Sequence, residues 1–344
     1  MRWLRATSVG LGLLVSSTLF AACEEKKADD GGAGGSAGGD DGNDVPPPHR
    51  VVGYVPTYRS LDPRNFDFAT LTHLCIAFAN PTGEGSESDF DEAARPQIAP
   101  LVAAAHAQGV KVLASIAGGT KASGELVGAQ IIPDKVDAYV ASLLDVIERY
   151  DLDGIDVDIE GEAVTDTYEP FVLKLSKALP DGKLLTAAVA TKNRDAFSSR
   201  ALAEYDFINI MSYDQCSWSD EACEQASLED THLDLEYWTK DRDIPRHKAV
   251  LGVPFYGWCW GCAETQSALT YAQIVAKYPE AKTEDWIEAN GETISLNSAA
   301  TIATKAELAR DYGGVMIWEL GQDAVGDDAL FLVIADAQVT SDAE

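Results

Sequence analysis

Positive charge is what this sequence has least of. Its 344 residues hold 26 lysines and arginines against 56 aspartates and glutamates, a net charge of −30. Such a chain repels nucleic acid and other polyanions, which removes them as partners, while a neutral polysaccharide is little affected. Histidine is scarce too: five are present, none at ligand spacing, so no metal and no cofactor are expected. Past residue 48 no further Gly- or Pro-rich linker interrupts the chain, which argues for one folded domain. With 46% hydrophobic residues that domain can bury a large core.

The N-terminus has the composition of a targeting segment. Arg2 and Arg5 precede an apolar run, Val9 to Phe20, too short to span a bilayer comfortably. The run ends Leu19-Phe20-Ala21-Ala22-Cys23, which resembles a bacterial lipobox with Phe20 in the place usually held by Leu. The expectation is a signal peptide over 1–22 and lipidation of Cys23. Residues 24–48, with three Gly-Gly pairs and Pro46-Pro47-Pro48, cannot bury a core and read as a tether. The expected product is a monomer held by lipid at a cell surface or periplasmic face, or else secreted, with membrane contact through the lipid alone.

From Ile155 to Glu160 apolar and acidic residues alternate strictly, the two-residue period of a strand. Asp156, Asp158 and Glu160 therefore share one face. Three carboxylates on one strand face repel each other, and packing alone would not select them. Short apolar runs alternate with helical patterns on both sides, predicting a parallel sheet. Strands are expected at 50–55, 71–78, 111–117, the acidic stretch, 184–190, 207–212, 249–253 and 314–318, with helices at 96–108, 135–150, 168–179 and 299–310. A hairpin is expected at 286–296 around Asn290-Gly291. Eight strands with helices between them predict a closed (β/α)8 barrel, an α/β fold of about 250 residues, over 49–344. Glu160 then falls at the C-terminal strand ends, where such barrels work.

The pattern Asp153-x-x-Asp156-x-Asp158-x-Glu160 resembles the signature of glycoside hydrolase family 18. Ser115-Ile116-Ala117-Gly118-Gly119 resembles the family's Ser-x-Gly-Gly, with Ala117 where Gly is usual, a change expected to matter little because both leave space. Met211-Ser212-Tyr213-Asp214 is similar to its Met-x-Tyr-Asp, Gly314 to Glu319 to its last strand, and Gly53-Tyr54 to its first. The likeness covers about 50–323 and leaves no room for the larger α+β insertion of some members.

Glycoside cleavage needs an acid at the leaving oxygen and support for an oxocarbenium-like transition state. Glu160 at the mouth is the expected acid, its pKa raised by Asp158 two residues deeper. Asp156 is expected to share a proton with Asp158. Asp153 has the opposite parity and is expected to fix the strand entry. No second carboxylate reads as a nucleophile. The resemblance implies that the substrate's 2-acetamido group attacks the anomeric carbon, with Asp158 turning to hold its N–H and Tyr213 its carbonyl. The β configuration is then kept, and Trp318 floors the sugar site. Tyr54, Met211 and Asp214 are expected beside it, with Ser115 and Gly118 as framework.

Trp218, Trp258 and Trp260 follow strands six and seven and are candidates to stack on sugar rings, or else to pack under the loops. Cys75 reads as a buried thiol. Cys216, Cys223, Cys259 and Cys262 predict disulfides with three pairings open, a zinc site being the alternative. His106 reads as a surface residue of a helix. The expected activity is a chitinase on β-1,4-linked N-acetylglucosamine. The alternatives are an endo-β-N-acetylglucosaminidase acting on glycoprotein glycans and a non-catalytic chitin-binding lectin.

Overall fold

The computed structural model describes residues 49–339, apart from 84, 191–193, 217–218 and 264–266. The expected signal peptide, Cys23, the tether and Trp218 lie outside the described residues. Eight parallel strands close into a barrel: β1 (Arg50–Pro56), β2 (His73–Ala77), β3 (Lys111–Ala117), β4 (Gly154–Asp158), β5 (Leu184–Ala190), β6 (Phe207–Met211), β7 (Ala249–Pro254) and β8 (Gly314–Trp318). Each strand pairs with its neighbours in sequence, and the ring closes where Arg50 of β1 lies opposite Gly314 of β8. β4 and β8 are therefore diametrically opposed.

Strand parity sorts the side chains. Ile155, Val157 and Ile159 point outward and are fully buried beneath the helical layer. Asp156 and Asp158 point into the barrel, level with Ser115 and Ala117 of β3. The helix Val136–Tyr150, which feeds β4, buries Val136, Tyr139, Val140, Leu143, Val146 and Ile147 against the sheet. It ends where Asp151 takes a left-handed φ of 56°, turning the chain back into the barrel. Asp153 then locks the strand entry. Its Oδ2 accepts from the Val112 N–H at 2.8 Å and its Oδ1 from Lys111 Nζ at 2.8 Å. His106 corrects its surface reading: its ring Nε2 lies 2.8 Å from Asp153 Oδ2, so the helix Arg95–His106 is pinned to the same carboxylate.

The segment between β7 and β8 holds more than the expected hairpin. Strands Ser267–Thr270, Tyr256–Trp260, Glu292–Ser295 and Trp286–Ala289 form, in that spatial order, an antiparallel sheet with the helix Tyr271–Lys277. Asn290 and Gly291, with φ of 57° and 80°, make its tight turn. The sequence reading gave the hairpin of Trp286–Ala289 and Glu292–Ser295, while Tyr256–Trp260 and Ser267–Thr270 went unread. Disulfides join Cys216 to Cys223 and Cys259 to Cys262, and Cys75 is a buried thiol. A further helix, Leu330–Val339, went unread; Asp323 caps it by accepting from the Leu330 and Phe331 N–H groups.

Candidate active site

Parity alone carries a band of polar groups into the barrel around Asp156. Tyr54 Oη and Ser115 Oγ donate to Asp156 Oδ2 at 2.7 and 2.8 Å. Thr186 Oγ1 and Asn209 Nδ2 donate to Oδ1 at 2.6 and 3.4 Å. Burial pushes the Asp156 carboxyl above its ordinary range, and these four donors oppose that push by stabilising the anion. Thr186 and Asn209 were missed in the sequence. Each is a lone polar residue in an otherwise apolar strand, at the parity that faces inward.

No hydrogen bond joins Asp156 to Asp158 among the described residues, so the expected shared proton is corrected. Asp156 is saturated by hydroxyl and amide donors, and Asp158 bonds instead to Glu160. Asp158 Oδ1 is buried with no hydrogen-bond partner among the described residues. Burial lifts Asp158 well above the carboxylate range, and the charges of Glu160 and Asp156 add to the rise. Of the two aspartates, Asp158 is raised the further, because no hydroxyl or amide donor offsets its burial as four do for Asp156.

Glu160 is pushed up to about 7. The physical cause differs from the expected one. Burial does the work and the Asp214 carboxylate adds to it, whereas the hydrogen bond from Asp158 acts in the opposite direction. Gly119 lies against the carboxyl group; a Cβ there would stand 2.8 Å from Glu160 Oε1. A cavity of about 660 Å3 opens beside Glu160 between Gly118, Gly119, Thr120, Gly161, Thr165 and Ala190. A cavity of about 690 Å3 between Arg59, Phe66, Leu320 and Phe331 holds no member of the acid set.

Across the mouth, Trp318 at the end of β8 packs against Phe78 with ring centroids 6.2 Å apart and against Tyr54 at 5.6 Å. Tyr213 is buried, its hydroxyl 3.8 Å from Met316 Sδ. Gly252 makes room for its ring, since a Cβ there would lie 3.0 Å from Tyr213 Cε1. Met211 packs partly buried against the same cluster. Asp214 Oδ1 accepts from Tyr256 Oη at 2.5 Å and Trp258 Nε1 at 2.6 Å, which brings Trp258 to the site. Trp260 is 8% exposed and donates to the Ser219 carbonyl, so it packs beneath the loop. Gly118, at φ 93°, is pressed against Phe78, leaving 2.6 Å for any Cβ.

Ala117 corrects another expectation. Its φ is 73°, so the usual glycine matters for backbone sign rather than for space. The Asn80 side chain brackets this residue, accepting from its N–H at 2.7 Å and donating to its carbonyl at 2.9 Å.

Comparisons with known proteins agree with this geometry. The pattern of glycosyl hydrolases family 18 matches residues 50–323. A family 18 chitinase of Flavobacterium johnsoniae, from its chitin utilization locus, is 34% identical with a TM-score of 0.77. The match covers 85% of this chain and 94% of that one. A chitinase-like mite allergen of Dermatophagoides farinae is 25% identical over 58% of this chain and 45% of its own length. A chitinase-like effector of Moniliophthora perniciosa is 27% identical over 66% of this chain and 59% of its own. The chain thus spans about half the length of these two relatives. With the acid strand, the tyrosine and the tryptophan all on one barrel mouth, the chain belongs to glycosyl hydrolases family 18.

Proposed function

We propose that this chain is a chitinase, a retaining hydrolase of β-1,4-linked N-acetylglucosamine chains. One observation carries the reading: Glu160, with a pKa near 7, is hydrogen-bonded to an Asp158 whose second oxygen is buried without a partner among the described residues. A carboxyl group protonated at neutral pH is what the leaving oxygen requires. Asp158 Oδ1 is the acceptor that a substrate N–H would satisfy, and leaving it empty costs about 1–3 kcal/mol. Among the described residues the Tyr213 hydroxyl holds only a weak sulfur partner, which leaves it available to the acetamido carbonyl. Trp318 supplies the apolar floor for the ring.

The carboxylates suit substrate assistance, a known departure from the two-carboxylate scheme. Glu160 protonates the leaving oxygen, the acetamido oxygen attacks the anomeric carbon, and Asp158 and Tyr213 orient that group. Glu160 then takes a proton from the water that opens the intermediate, which leaves the β configuration. The retained, protonated Glu160 speaks against a purely lectin role. Two family relatives are described only as chitinase-like, so turnover itself is the test. Release from a tri-N-acetylchitooligosaccharide, with none from a cellulose oligomer of equal length, is the expected result; equal release from both would defeat the mechanism. Activity confined to high-mannose glycoproteins would point to the endo-β-N-acetylglucosaminidase instead.

The lipid-tethered location of the sequence reading stands as part of this proposal. The two disulfides support it, since such bonds persist in oxidising compartments.

A further inference from the structure

Gln225 lies outside the barrel strands, eleven residues after Asp214, and is fully buried. Its four polar groups reach three separate pieces of chain. The side-chain Oε1 accepts from the Asp214 N–H at 3.3 Å, and Nε2 donates to the Tyr256 carbonyl at 3.2 Å. The backbone N–H donates to Ser295 Oγ at 2.9 Å, and the carbonyl accepts from the Gln215 N–H at 3.0 Å. The carbonyl of the next residue, Ala226, accepts from Lys305 Nζ and Asn297 Nδ2, so the segment is anchored on its far side as well.

Asp214 needs such support. Its φ is 61°, in the left-handed region that side chains other than glycine seldom adopt without local hydrogen bonds. Both donors to its Oδ1, Tyr256 Oη and Trp258 Nε1, sit on the strand whose carbonyl Gln225 also binds. The Cys216–Cys223 disulfide closes the loop between the two residues.

We propose that Gln225 is a positioning residue for Asp214: its carboxamide holds the left-handed Asp214 backbone in register with the strand that clamps the Asp214 carboxylate. The inference rests on the glycosidase reading for its effect on catalysis. Asp214 acts on Glu160 through its charge, so an Asp214 that drifts away changes the acid. The other groups facing Glu160 are Asp158 from β4, Tyr213 after β6 and Tyr256 from the small sheet. Lys121, Glu125 and Glu162 line the adjoining cavity. Of these the Gln225 side chain bonds Tyr256 alone among the described contacts, and it does so at the backbone carbonyl, away from the titrating hydroxyl.

The test is the Glu160 titration, followed by 13C NMR of its side-chain carboxyl in the full chain, alongside the pH profile of kcat/KM. Gln225→Met removes both side-chain bonds at similar volume, and Gln225→Glu keeps an acceptor for Asp214 while losing the donor to Tyr256. Ser295→Ala is the control, since it removes a buried bond to the same residue without touching the link to Asp214. Gln225→Met is expected to lower the Glu160 midpoint by half a pH unit or more and kcat/KM by about tenfold. Gln225→Glu is expected to fall between it and the parent, and Ser295→Ala to lower only Tm. In an Asp214→Asn background the Gln225 substitutions should no longer move the midpoint. An unchanged midpoint in Gln225→Met, or in Gln225→Glu should the first variant fail to fold, overturns the proposal. So does an equal shift in the Asp214→Asn background. The titration reads positioning even in a protein without turnover, so a failure of the chitinase reading shows separately, as absence of hydrolysis by the parent.

Discussion

Asp158 bonds to Glu160 while its Oδ1 stays buried and, among the described residues, without a partner. The relationship follows from the barrel's interior. Four donors from four different strands, Tyr54, Ser115, Thr186 and Asn209, occupy Asp156 and leave Asp158 only the acid to bond with.

That arrangement makes Asp158 essential to turnover. Asp158→Ala should lower kcat by roughly 10²-fold or more, with a smaller effect on KM. Steady-state kinetics on a chitotriose substrate checks this. A kcat within a few-fold of the parent would remove Asp158 from the mechanism.

The pH dependence follows from Glu160. As general acid it must carry its proton, so kcat/KM should fall as pH rises through about 7. Stability has the same sign. A carboxyl whose folded pKa is raised binds its proton more tightly when folded, so its favourable contribution is complete below the ordinary glutamate value. It is lost as pH rises through about 7. Glu160→Gln, which cannot ionise, should therefore have a higher Tm than the parent at pH 8, and the gap should close below pH 4.5. Parallel thermal scans across this range decide the point; a gap that widens toward acid pH would contradict it.

Tyr213 should matter through its hydroxyl alone. Tyr213→Phe keeps the ring that packs against Tyr256 and lets go only of the weak contact to Met316. The expected loss is about 10²-fold in kcat, the scale of one missing oxyanion donor, with Tm nearly unchanged. Unaltered kcat would place the acetamido carbonyl elsewhere.

Ala117→Gly should stabilise the protein. The left-handed φ of 73° costs alanine about 1–2 kcal/mol, offset in part by the greater freedom glycine has when unfolded, about 0.5–1 kcal/mol. A higher denaturant midpoint at unchanged slope is expected, and a lower midpoint would show that the Asn80 bracket needs the alanine side chain.

Much of this was legible in the residues, for a physical reason. Strand parity is local, so the alternation from Ile155 to Glu160 was enough to put Asp156 and Asp158 inside and three aliphatic side chains outside. What stayed hidden depends on contacts between distant segments. Nothing near Asp156 announces that Thr186 and Asn209 will saturate it, and this saturation redirects Asp158. The rise in the Glu160 pKa was anticipated but its source was not, because burial and the position of Asp214 are set by the whole barrel mouth. Backbone sign was equally silent: Ala117 reads as a small residue until its φ is seen. Trp258 and Trp260 lie two residues apart on one strand, yet differ because a loop covers one and Asp214 binds the other.

The most direct test of the account is hydrolysis of fluorogenic di- and tri-N-acetylchitooligosaccharides by the purified protein and by Glu160→Gln. The account predicts turnover by the parent, falling as pH rises through about 7, and its loss in the variant with oligosaccharide binding retained. Binding without turnover by the parent, or turnover that survives in Glu160→Gln, would contradict it.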